Sequence, residues 1–550
     1  MSCLAMTLCI ITGCTKHQTI DDGGYTYDEA LKELNAFNSE LTADEIPATL
    51  DIYNTETQSA TLADIDTFPI TVKGNGAIDI EVAAATEMSS DAPDDWLNVV
   101  AGNFNKSNCQ IKGKTVSVTI RRITSGEVIT YMTEGDYRPD VYAPSSEAWG
   151  EMLSAKGIGA VKVADRIAGN TAGVLMEKKT YDEFISKYKE VTLSSVLDAS
   201  LAGDLTFAYT NPYTSSTGLN ILTGMLYAFD NNNPLSSTAQ QKLLDYQKKS
   251  PPVAYTTSVL RDQASKGIIK AMVMEEQAYK NTPELKDYVY TPAGIRHDHP
   301  VYTFDYVSDE KQEAAKLFAE FCQNDESQAL ADKKGFNLHD DYQSQPNGLD
   351  GAGYISAQKI WKQSKDGGQP IIAVFVADIS GSMAGEPINS LKESLISTSA
   401  YISSDNYIGL VSYSDNVHIN LPIDEFDEEH RAYFSGAVKA LDVEGNTATY
   451  DAVLVGLKML IDKKEEIPNA KMMMFVLSDG AQNCGYSLDR ISPIVGGLRI
   501  PVYTIGYNLD PGSHATTELE RLSGINEASL INATSDDLIN HMRNLFNVEL

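Results

Sequence analysis

The last third of the chain alternates apolar runs with helix-length amphipathic stretches. Between 369 and 550 the runs include VFVAD, YIGLVSYS, VHINL, MMMFVLS, VYTIGYN and ASLIN, with helical patterns near 388–403, 427–441, 449–462, 487–496, 516–523 and 535–547. Continuous apolar β-formers bounded by polar turns predict strands buried on both faces, and their alternation with helices predicts a doubly wound parallel sheet. VHINL is the exception. It follows its predecessor after a short turn at Ser414-Asp415-Asn416, which predicts an antiparallel edge strand. The run Met472-Met473-Met474 reads as core strand.

Residues 77–340 have a different texture. IDIEVAAA leads into the amphipathic DDWLNVVAGNFN, and VSVTIRRI runs into Thr124-Ser125-Gly126 before a helix near Glu127. RPDVYAPSS ends in Ser145 and Ser146 before EAWGEMLSA, and FAYTNPYTSSTGLNIL places Thr214, Ser215, Ser216 and Thr217 before another helix. Strand, hydroxyl turn and helix in repetition aim free N–H groups at one crevice, which suits an anion or a small polar solute. Thr124, Ser125, Ser145, Ser146, Thr214, Ser215 and Ser216 are therefore the candidate ligand residues of this α/β part. Glu275 and Glu276, after IIKAMVM, either face the crevice or cap a strand, and the second is expected. His297-Asp298-His299 is expected in a hinge or surface role in place of a shared metal site.

The flanking segments are polar. Residues 15–76 read as a tether with one short helix, YDEALKELNAFNSEL, packed on the next domain. HDDYQSQPNGLDGAG opens a linker over 341–368, and Trp361 in the following ISAQKIWKQSK helix is expected against the C-terminal domain.

The C-terminal pattern carries the clearest chemistry. The run VFVAD stops at Asp378, followed by Ser380 and Ser382; GNTATYDAV places Thr447 in a loop before a helix; FVLSDG ends a second apolar strand at Asp479. Oxygen ligands at the C-terminal edge of a parallel sheet suit Mg²⁺ or Mn²⁺ over zinc. These residues resemble a von Willebrand factor A domain with an intact metal-ion-dependent adhesion site. The resemblance implies that Ser380, Ser382 and Thr447 touch the metal through hydroxyls, while Asp378 and Asp479 hold it directly or through water. Residues 77–340 in turn resemble a two-lobed, type II bacterial extracellular solute-binding module, through PDVYAPSS, NPYTSSTGLNIL and KLFAEFCQNDESQALADKKGF. Lobe one is expected at 77 to about 180, resuming after about 285, with lobe two between.

A net charge of −33 over 550 residues argues against nucleic acid as a partner. No nucleophile elbow, phosphate-binding Gly-Lys-Ser/Thr loop, zinc HExxH or catalytic carboxylate pair is present, so an enzyme is not expected. The six cysteines fit neither a zinc site nor a disulfide framework, and Cys484 reads as an incidental thiol. Ile11-Thr12-Gly13-Cys14 resembles a bacterial lipoprotein signal over 1–14 with Cys14 lipidated; its apolar core is short and no Lys or Arg precedes it, so the true start is expected upstream. Together these features imply a lipid-anchored protein on the extracytoplasmic face of the cell membrane, binding the Asp or Glu of a protein partner through a metal bridge. The alternatives are a substrate receptor for an ABC transporter and an intracellular partner of an AAA+ ATPase.

Overall fold

A computed structural model describes residues 24–51, 62, 64–135, 137–249, 251–254, 257–265, 267, 269–344, 348–526, 528, 530–533 and 538–550. Cys14 and the rest of the lipoprotein-like segment lie outside them.

Strand Ile371–Asp378 is buried at every position. It runs through the middle of a seven-stranded sheet, parallel to Tyr407–Tyr413 on one side and Lys471–Ser478 on the other. Val502–Tyr507 and Leu530–Ala533 extend the parallel set, while Val417–Glu425 runs antiparallel to Tyr407–Tyr413, as its short turn predicts, but it is not the expected edge strand, since Ala43–Glu45 pairs outside it. Alternate residues enter opposite cores. Ile371, Ala373, Phe375 and Ala377 pack with helices Glu386–Ser399, Glu428–Lys439 and Leu538–Glu549. Ile372, Val374 and Val376 pack with Thr449–Glu466 and Leu488–Leu498. A strand apolar on both faces is stable only when helices cover both, which fixes the doubly wound arrangement.

The N-terminal helix departs from expectation. Tyr27–Glu40, opened by a Thr26/Glu29 capping box, buries Ala30, Leu34 and Phe37. It does so in the core of the C-terminal sheet, against Leu488–Leu498 and Thr449–Glu466. Phe37 meets the Tyr486 ring edge-on at 4.7 Å, and at Gly497 an added Cβ would lie 2.6 Å from that of Ala30. Ala43–Glu45 then pairs parallel with Val417–Ile419 and covers the sheet edge. The helix and first strand of the expected tether therefore pack on the C-terminal domain, whereas its last strand, Ile70–Val72, joins the module that follows by pairing with Lys114–Arg122. An amphipathic helix shows that a partner exists but not which one.

Between these parts lie two lobes. The first holds Ile70–Val72, Lys114–Arg122, Ile78–Ala84, Val141–Ala143, Val301–Phe304 and Ala160–Ala164, adjacent in that order. The second centres on Asn170–Glu177, antiparallel to both Ala271–Glu275 and Tyr288–His297. The chain thus crosses between Ala164 and Asn170 and returns between His297 and Val301. Both crossings differ from the expected 180 and 285, because the strands Asn170–Glu177 and Tyr288–His297 belong to the second lobe along their whole length.

Helix Gly351–Ser364 packs against Glu147–Ala155, Ser216–Phe229 and Ser237–Gln247. Trp361 is fully buried and donates its indole N–H to the Tyr209 hydroxyl at 2.8 Å. Its partner is the two-lobed module, contrary to expectation. Among the described residues no helix is long and apolar enough to cross a membrane.

Candidate metal site and interlobe seam

Asp378 ends its strand with no exposed surface. Its Oδ1 accepts the Ser380 N–H at 2.8 Å, and its Oδ2 accepts the Ser478 hydroxyl at 2.6 Å. Burial pushes this carboxyl up to about 6 against those hydrogen bonds. A carboxylate held in such a place lacks a counter-charge.

The chain then turns through Gly381–Met383, which brings the Ser380 and Ser382 hydroxyls to 3.1 Å. Ser382 donates to Asp479 Oδ1 at 2.7 Å, and burial raises the Asp479 carboxyl as well. Gly381 N–H donates to Gly445 O at 3.1 Å and Glu444 N–H to Ile379 O at 2.7 Å, which docks the Thr447 loop on the first. Thr447 is buried, its N–H given to Asn483 Oδ1 at 2.8 Å and its carbonyl accepting from the Asn483 N–H at 3.1 Å. Cys484 N–H also points to the Thr447 carbonyl, at 3.4 Å. All three predicted segments thus meet at the C-terminal rim of one sheet.

Three braces escape a reading of the motif alone. Ser478 fixes Asp378, and Asn483 clamps the second loop to the third. Asp415 receives the Asn446 N–H and side-chain amide at 3.1 and 2.6 Å, beneath Gly445. Gly445 has φ +65°, and a Cβ there would lie 2.1 Å from the Asp415 carboxylate, so this turn needs glycine. Asp415 precedes a turn and Asn483 follows one, positions that usually speak only of local caps.

The donor set is two carboxylates and three hydroxyls. Among the described residues no group of three or more His, Cys, Asp or Glu side chains could hold a metal. That leaves an all-oxygen rim, which fits a hard cation and not a soft one. Asp378, Ser380, Ser382, Thr447 and Asp479 are the residues that would hold it.

The crevice residues lie along the contact between the lobes. Gly126 N–H donates to Thr214 O at 3.3 Å, Trp149 Nε1 to Ser216 Oγ at 2.7 Å, and Ser146 Oγ to Asn220 Oδ1 at 3.3 Å. Ser125 and Ser145 hydroxyls stand 3.4 Å apart. Thr124 instead donates to Glu127 at 2.9 Å, and Ser215 caps Ser216–Phe229 through the Gly218 N–H. Asp94 ties the lobes together by accepting from Arg261 at 3.2 Å and Gln277 at 2.8 Å. Ser125, Ser145, Thr124 and Ser215 thus bond within their own lobes, while three contacts of the expected hydroxyl turns cross the seam. Glu275, expected to cap a strand, sits inside it and accepts the Thr217 hydroxyl. His297 and His299 are both fully buried at the hinge.

Comparison with known proteins agrees with this division. Residues 81–337 match the family described as bacterial extracellular solute-binding protein, and residues 373–545 match the von Willebrand factor type A domain. The chain is similar to inter-alpha-trypsin inhibitor heavy chain H3 of Homo sapiens, 30% identical over 156 residues, covering 26% of this chain and 17% of that protein. A von Willebrand factor type A structure from Catenulispora acidiphila is 16% identical, covers 32% of this chain and 42% of that one, and has a TM-score of 0.30. A periplasmic thiamin binding protein is 14% identical, covers 54% and 99% of the two chains, and has a TM-score of 0.39. Von Willebrand factor A domains commonly bind a divalent metal.

Proposed function

We propose that this chain, a bacterial extracellular solute-binding module joined to a von Willebrand factor type A domain, is a cell-surface lipoprotein that binds a protein partner through a divalent cation. The observation that carries the reading is the pair of contacts Ser382–Asp479 and Gly381–Gly445, which gather three distant segments on one rim. Asp378 and Asp479 would supply charge to Mg²⁺ or Mn²⁺, and Ser380, Ser382 and Thr447 would orient it. An ion bound there one ligand short offers its open position to an Asp or Glu of the partner. Lipidation at Cys14 would hold the chain on the outer face of the membrane.

The test is retention of the full chain on extracellular protein from its own cells. Retention in Mg²⁺, release by EDTA and loss in Asp378→Ala support the reading; retention indifferent to both overturns it.

A second reading, a receptor that delivers a solute to an ABC permease, draws support from the polar seam between the lobes. It predicts a solute that stabilises the module and owes nothing to Asp378. An intracellular partnership with an AAA+ ATPase has no such feature in its favour and requires that Cys14 carry no lipid.

A further inference from the structure

Near the hinge a set of buried polar atoms has no hydrogen-bond partner: Asn170 Nδ2, Asn220 Nδ2, Glu275 Oε2 and both ring nitrogens of His297. All four side chains belong to residues at most 5% exposed. Native interiors satisfy nearly all such groups, so several in one region call for an occupant.

The contacts show that it is one region. Asn170 and His297 are cross-strand partners where the chain passes between the lobes. Gln277, two residues after Glu275, donates its N–H to Asn170 Oδ1 at 3.3 Å. The Thr217 hydroxyl donates to Glu275 Oε1, and Asn220 lies one helical turn beyond Thr217, its Oδ1 taken by Ser146 of lobe one. Glu87 approaches from lobe one, 3.3 Å from His299 Nε2, and its charge acts on both Glu275 and His297.

The sign of the site follows from its acids. Glu87 and Glu275 come from opposite lobes; the His299 ring holds the Glu87 carboxyl below its ordinary range despite burial, and among the described residues neither acid has a Lys or Arg partner. An anion at this point would face two carboxyl groups in a medium that screens charge poorly. A cation would answer both. Burial and the nearby Glu87 push the Glu275 carboxyl up to about 7, as expected of an acid awaiting positive charge. The unpartnered atoms are amide donors on Asn170 and Asn220 and an acceptor on Glu275, a mixed set that suits an organic group carrying its own hydrogen-bond donors and acceptors.

We propose that the seam between Glu87 and Glu275 binds a small organic amine, its N–H groups on Glu275 Oε2 and its oxygen acceptors on Asn170 and Asn220. This rests on the reading of residues 81–337 as a solute-binding module. It replaces the anion suggested by the helix N-termini, since the Gly126 N–H is given to Thr214 across the seam and the Ala148 and Gly218 N–H groups to their own cap serines.

The test is thermal unfolding of the full chain with ethanolamine, putrescine, inorganic sulfate or inorganic phosphate, each at about 1 mM, a level that shifts a module by several degrees when it far exceeds Kd. An upward shift with an amine, lost in Glu275→Gln but kept in Asp378→Ala, supports the proposal. Glu87→Gln serves if Glu275→Gln does not fold. A shift with sulfate or phosphate and none with an amine overturns the ligand class while leaving the solute-binding reading intact. An amine shift unchanged in both Glu variants overturns the site, and no shift with any of the four overturns the solute-binding reading itself.

Discussion

Ser382 donates its hydroxyl hydrogen to Oδ1 of Asp479 at 2.7 Å, joining two loops 97 residues apart. With the Gly381–Gly445 contact at 3.1 Å it closes the rim on which the metal reading rests. The residues behind that rim are therefore as informative as those on it.

Ser478 touches no expected ligand position directly except through Asp378, whose Oδ2 it holds at 2.6 Å. Removing an outer partner of a metal ligand typically costs 10–100-fold in affinity. Ser478→Ala should weaken Mn²⁺ binding by about that factor while circular dichroism stays unchanged, because one buried hydroxyl is lost without a change of backbone. Unaltered affinity would show that Asp378 needs no such brace.

The N-terminal helix is part of the C-terminal domain's core. Leu34 is fully buried there, and a buried Leu→Ala change costs about 2–5 kcal/mol. Leu34→Ala should lower the unfolding transition of residues 369–550 by that amount and leave the two-lobed module unaffected. A C-terminal transition indifferent to Leu34 would mean that the helix contributes nothing to that core.

Trp361 gives the reciprocal case. Its indole is buried against Tyr209 and Tyr213, so Trp361→Ala should cost about 3–5 kcal/mol. The loss belongs to the two-lobed module, and domain-resolved calorimetry should show the C-terminal transition in place.

Glu275 makes stability depend on pH. Its folded carboxyl titrates at about 7 and its unfolded one near 4.5, so the folded state holds the proton more tightly. The stability this confers is fully present below about 4.5 and is lost as pH rises to about 7. Glu275→Gln keeps an acceptor for Thr217 and removes the titration. Its stability relative to the wild type should therefore climb between pH 4.5 and 7, by about 3 kcal/mol at most, and stay level above. A difference independent of pH would show that Glu275 is not held protonated.

What the sequence discloses here is mostly local. The apolar run before Asp378, the short turn before VHINL and the hydroxyls ahead of helices each encode their own structure within a few residues. Partners across long separations are not encoded in that way. Ala30, Leu34 and Phe37 announce an apolar face, yet nothing in their spacing says that it meets Val495 and not lobe one. Trp361 is likewise apolar with two candidate hosts. Glu275 misleads because an acid after an apolar strand ordinarily reaches water, whereas this one is buried and accepts the Thr217 hydroxyl. Ser478 and Asn483 look like ordinary turn residues until the loops they brace are brought together.

The central claim is that five oxygen-bearing side chains on one rim hold a single hard cation. Titration of the full chain with Mn²⁺, followed by the loss of the free-ion electron paramagnetic resonance signal, measures it directly. One Mn²⁺ is expected to bind per chain at this rim, displaced by Mg²⁺, with no such binding in Asp378→Ala. Binding of equal strength in the wild type and Asp378→Ala, or none in either, would contradict it.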